Sequence, residues 1–73
     1  MAKVTIELTF PGELKEEPII YYIGRDFKIV PNIIEASFST SMGWAILTLE
    51  GDKRELERLF EYLRKKNITI KPR

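Results

Sequence analysis

Polar and apolar residues alternate strictly over residues 3–10. Val4, Ile6, Leu8 and Phe10 point one way, and Lys3, Thr5, Glu7 and Thr9 point the other. A period of two rich in β-branched residues predicts a half-buried strand, which Pro11-Gly12 ends. After Glu13-Leu14-Lys15-Glu16-Glu17 the period changes. Pro18 suits a first helical turn, and the carboxylates before it complement the positive end of a helix. Ile19, Ile20, Ile23 and Phe27 then form one helical stripe, predicting a helix over residues 18 to about 27. Its β-branched content gives it poor intrinsic propensity, so packing must hold it.

Pro31 resets the chain, and alternation resumes over residues 32–39. Ser39-Thr40-Ser41-Met42-Gly43 is turn-like, residues 44–50 form a further strand, and Gly51-Asp52 closes it. Two strands this close in sequence predict an antiparallel hairpin. The expected register turns Ile34, Ala36 and Phe38 on the first strand, and Ala45, Leu47 and Leu49 on the second, toward the core. Ile33, Trp44 and Ile46 are then left on the opposite face, an apolar cluster that suggests a protein or ligand contact. The reverse register buries Trp44 and Ile46. It is disfavoured because Leu47 and Leu49 are interleaved with Thr48 and Glu50.

The second helix has the clearest pattern. Asp52 is a suitable N-cap, and Glu55 three residues on completes an acidic variant of the capping box. Leu56, Leu59, Phe60 and Leu63 form a core-facing stripe, Glu61 is spaced to pair with Lys65, and Asn67 is a left-handed stop. A short strand over residues 68–71 ends at Pro72. The order is strand, helix, strand, strand, helix, strand. With right-handed crossovers it predicts an α+β, ferredoxin-like βαββαβ sandwich: one antiparallel sheet of order 4-1-3-2, two helices on one face, and a single domain over 1–73. The fold name describes topology and implies no cluster.

Composition narrows the chemistry. Among 73 residues there is no Cys and no His. This rules out disulfides, thiol nucleophiles, imidazole bases and Cys- or His-ligated metal sites. A balance of 12 Lys and Arg against 11 Asp and Glu gives a net charge of +1, which removes the usual electrostatic reason to expect nucleic acid or a membrane surface as partner. No apolar run reaches membrane-spanning length and the start has no signal-peptide pattern, so the expected location is cytoplasmic. Scarcity of Asn, Gln and Cys beside abundant Glu, Lys and Arg is the thermophile bias.

Ferredoxin-like topology hosts many functions, so function must be argued from a site. A soft-metal carrier fails because the first loop holds carboxylates and no thiol. An acylphosphatase-like enzyme fails because no Gly-rich phosphate loop follows the first strand, and Arg25 and Asn32 are the only pieces present. No acid–base pair or activated nucleophile converges, so no enzyme is expected. An RNA-recognition module is weakened because Met42 and Ile46 stand where its third strand would carry a basic residue and a second aromatic. A small-molecule-binding or assembly module remains.

Four strings in order, Phe10-Pro11-Gly12-Glu13 through Glu17-Pro18-Ile19-Ile20, Val30-Pro31-Asn32-Ile33-Ile34-Glu35-Ala36, Gly43, and Leu47-Thr48-Leu49-Glu50-Gly51, resemble the NIL domain over residues 3 to 71. The family is named for an Asn-Ile-Leu string, here Asn32-Ile33-Ile34. NIL domains end the ATP-binding subunits of methionine-import ABC transporters and also precede ferredoxin modules. They are similar to ACT domains, which pair through sheets and bind amino acids between copies. The resemblance implies a regulatory module that senses methionine or a related sulfur compound at a homodimer interface, with no cofactor and no membrane insertion. It places Asn32 at the ligand. An amide has two donors and an acceptor for a zwitterion, while Ile33, Ile34 and Trp44 are placed to wall a thioether. The alternative is a ligand-free dimerisation module serving a separate sulfur-metabolism or ferredoxin-type partner. In either case the second strand is expected as the pairing edge, since residues 32–39 carry no Lys and no Pro.

Overall fold

In the computed structural model, which describes residues 2–12, 17–39 and 41–73, six elements follow one another. They are β1 (Ala2–Pro11), α1 (Ile19–Asp26), β2 (Ile29–Phe38), β3 (Met42–Gly51), α2 (Lys53–Lys65) and β4 (Thr69–Pro72). The sheet order is β2-β3-β1-β4, antiparallel throughout, so the ferredoxin-like α+β sandwich expected from the sequence is present. Among the described residues no helix is long and apolar enough to cross a membrane.

The core is built from the stripes that the periodicity marks. Ile6, Leu8 and Phe10 of β1 and Ala45, Leu47 and Leu49 of β3 are buried against Ile19 and Ile23 of α1 and Leu56, Leu59 and Leu63 of α2. Trp44 and Ile46 accordingly lie on the helix-free face, half-buried, as the chosen register requires. The end of α2 is a Schellman motif. Asn67 takes a φ of 62°, its N–H donates to Arg64 O at 2.9 Å, and the Ile68 N–H donates to Leu63 O at 3.0 Å. Ile68 and Leu63 are both buried, which supplies the apolar contact that accompanies this motif.

The start of α2 departs from expectation. Asp52 is the N-cap residue but makes no side-chain capping bond. Glu55 does not reach back to form a capping box. Its carboxylate instead accepts the Lys28 backbone N–H at 2.8 Å and the Arg58 guanidinium at 3.0 Å. A charged donor and an otherwise idle N–H outcompete the local cap. Glu61 pairs with Arg64 at 3.3 Å rather than with Lys65. At α1 the helix begins one residue late, with Pro18 as its N-cap. Of the acidic run before it, Glu17 is held by Lys66 at 2.8 Å and residues 13–16 lie outside the described residues.

β2 departs most. It starts at Ile29, so Pro31 lies inside an edge strand, where a missing N–H is tolerated. The expectation of a pairing edge without internal Pro is therefore corrected. A β-bulge falls between Ile33 and Glu35: Ile33 opposes Leu47 and Glu35 opposes Ile46, leaving Ile34 as the extra residue. Ile33 is thus on the helix-facing side, not the helix-free face. Ala36 and Phe38 do face the helix side, opposite Ala45 and Gly43. None of Ile34, Ala36 and Phe38 is buried.

Candidate functional site

The four residues expected at a ligand, Asn32, Ile33, Ile34 and Trp44, are distributed over both faces of the sheet. Asn32 opposes Thr48 on the helix-free face and is exposed. Trp44 shares that face, between Thr9 of β1 and Ser37 of β2. Thr48 lies four positions from Trp44 along β3, roughly 13 Å of strand. Ile33 is 50% exposed on the other face, and Ile34 is 56% exposed at the bulge. A single chain therefore does not gather all four around one small molecule.

The sheet does bring other groups to Trp44. A shallow depression of about 420 Å³ on the helix-free face is lined by Trp44 and Ile46 together with Glu7, Thr9, Glu35 and Arg73. Arg73 pairs with Glu7 at 2.9 Å, and its own N–H donates to Thr5 O at 2.9 Å, so β1 holds the chain end across this face. The expected register, with Ile34, Ala36 and Phe38 inward, already turns Glu35 to this face. The Ile33-Ile34 doublet, which interrupts the alternation, is the one signal that Asn32 would join it.

A second concavity was not foreseen. About 260 Å³ opens where β1 ends, α1 begins and the β2–β3 hairpin turns, walled by Phe10, Ile19, Ile20, Tyr21, Phe38 and Met42. Phe38 makes this wall in an unusual way. Its ring lies over Gly43 so closely that a Cβ there would collide with it, and its centroid is 5.6 Å from that of Phe10. It nevertheless remains 60% exposed. Phe38, Met42, Tyr21 and Val30, with Ile33 and Ile34, make the β2 end of the molecule its apolar surface.

Among the described residues the marked electrostatic shifts lie elsewhere. The hydrogen bond from Arg58, then that from the Lys28 N–H, lowers Glu55 to about 2. Glu17 raises Lys66 by its hydrogen bond, and burial raises Tyr62, over whose ring the Lys66 ammonium sits at 5.6 Å. The Glu55 contacts tie the α1–β2 connection to α2 away from both concavities, while the Lys66–Glu17 pair joins the end of α2 to the segment before α1 at the edge of the second concavity, which Glu17 lines.

The NIL domain family model matches residues 4–72, nearly the entire length of the chain. The chain belongs to the NIL domain family. Among curated proteins this NIL domain is 30% identical over 69 residues to the methionine import ATP-binding protein MetN of Halalkalibacterium halodurans, covering 89% of this chain and 20% of that protein. It is 27% identical over 67 residues to the protein of the same name from Bacillus subtilis, covering 86% of this chain and 20% of that one. The domain thus spans about a fifth of the length of these relatives. An uncharacterized protein of Synechocystis is 30% identical over 70 residues, covering 93% of this chain and 72% of that protein. Among solved structures, the C-terminal domain of an ABC transporter ATP-binding protein from Enterococcus faecalis superposes with a TM-score of 0.78 at 23% identity, covering 94% of this chain and 81% of that one. That likeness establishes the shared fold.

Proposed function

We propose that this NIL domain is a non-enzymatic regulatory module that binds methionine, or a close sulfur analogue, at a site including Asn32 and completed by pairing of two copies through β2. The observation that carries the reading is the state of β2. Asn32, Ile33, Ile34 and Phe38 are all exposed on one edge strand, and the family whose members include methionine-import ATP-binding proteins is named for that string. An edge strand presents unpaired backbone donors and acceptors to a second strand. Residues 32–38 carry no Lys to repel one. Pairing of two such edges also brings Ile33 and Ile34 of one copy toward residues of the other, which accounts for a ligand set that a single chain leaves dispersed. The second reading, a dimerisation module without ligand, draws support from that same dispersal.

Light scattering at high micromolar concentration tests the pairing, and thermal-shift screening with the sulfur amino acids tests the ligand. A dimer whose melting temperature rises with methionine supports the proposal, since a ligand that binds only the native state stabilises it. A dimer indifferent to every sulfur amino acid supports the ligand-free module, and a monomer contradicts both.

A further inference from the structure

We infer that Glu35 is a second polar contact of the amino-acid site, taking the ligand's α-ammonium group while Asn32 takes its α-carboxylate and Ile46 and Trp44 receive the apolar side chain. The inference rests on the methionine-binding reading above and adds a specificity-determining residue to it.

In a regular strand, residues 32 and 35 point to opposite faces. The bulge cancels that. Because Ile34 is extra on β2, Asn32 opposes Thr48 and Glu35 opposes Ile46, two positions apart on β3 and therefore on one face. Two strand residues span roughly 7 Å. Two charge-assisted hydrogen bonds of about 2.8 Å, with the short ammonium–carboxylate separation between them, are of that order. Glu35 also lines the depression that holds Trp44 and Ile46.

Within the depression, charge singles out Glu35, since Glu50 of the same face lies outside it. Glu7, the other carboxylate of the depression, is committed to Arg73 at 2.9 Å. Among the described residues, Glu35 forms no ion pair, and neither it nor the Asn32 amide forms a side-chain hydrogen bond. The face thus offers an uncommitted anion and an uncommitted amide one pleat apart beside an apolar wall. The occupant that complements it is a free α-amino acid with an apolar side chain, rather than a blocked one or a simple carboxylic acid.

Calorimetric titration of the wild type and Glu35→Gln with methionine and N-acetylmethionine tests this, because acetylation removes the ammonium and leaves the carboxylate and side chain. The wild type should bind N-acetylmethionine at least tenfold more weakly than methionine. Glu35→Gln should lose at least tenfold for methionine and less than twofold for the acetylated ligand, with an unchanged melting temperature. Methionine bound within twofold by both proteins, or N-acetylmethionine bound by the wild type as tightly as methionine, would overturn the role of Glu35 and leave the methionine site standing. No methionine uptake by the wild type would overturn both.

Discussion

The backbone N–H of Lys28 donates to the Glu55 carboxylate at 2.8 Å, joining the turn after α1 to the first turn of α2 across 27 positions of sequence. Arg58 holds the same carboxylate at 3.0 Å, lies 4.3 Å from the Phe27 ring centroid and donates to Asp26 O at 3.0 Å. One carboxylate thus organises the junction between the helices.

A pH dependence follows. Glu55 is held at about 2 in the folded protein against an ordinary value of 4.5, so it favours the fold when ionised. Its stabilisation is fully present above the unfolded value of 4.5 and is lost as pH falls toward 2. Glu55→Gln should lower stability at pH 7 and flatten the acid limb between about pH 5 and 2, measured by urea unfolding across that range. A mutant with the wild-type acid limb would place the titrating group elsewhere.

Trp44 is half-buried on the helix-free face, outside the core. Trp44→Ala should therefore leave the domain folded and cost clearly less than the ~3–5 kcal/mol of a core aromatic truncation. It should also weaken methionine binding. Chemical denaturation beside a binding titration checks both, and a protein largely unfolded at room temperature would mean that the tryptophan supports the core.

Two glycines should respond differently to alanine. At Gly51 a Cβ would meet the Lys28 carbonyl at 2.9 Å and the Ile29 side chain at 3.0 Å, so backbone must move. At Gly43 it would meet only the Phe38 ring, which is exposed enough to swing away. Gly51→Ala should cost about 1–3 kcal/mol, as overpacking does, and Gly43→Ala less. Thermal unfolding of the two variants gives the order directly.

The alternation of β1 and the leucine stripe of α2 were legible in the sequence because each depends on neighbours within one or two turns. The same holds for Asn67, whose left-handed stop uses only the helix it ends. What escaped depends on distant partners. Glu55 three residues after Asp52 has the spacing of a capping box, yet Lys28 and Arg58 hold it, and no local pattern brings Lys28 there. Alternation placed Phe38 and Ala36 on the correct side of β2 but could not reveal that both stay exposed. Ile33 was assigned to the wrong face because strict alternation was counted through Ile34, where the bulge breaks it. Glu35 and Trp44 share a face as the alternation implies, but Asn32 joins them only through that bulge, which no composition argument anticipates.

The most direct measurement is calorimetric titration of methionine into wild type and Asn32→Ala. An amino acid of roughly nine heavy atoms allows affinity on the order of micromolar. The account predicts saturable heat for the wild type and none for Asn32→Ala, with equal melting temperatures because an exposed edge-strand amide contributes little to folding. Equal heats for the two proteins, or no heat for the wild type with any sulfur amino acid, would contradict it.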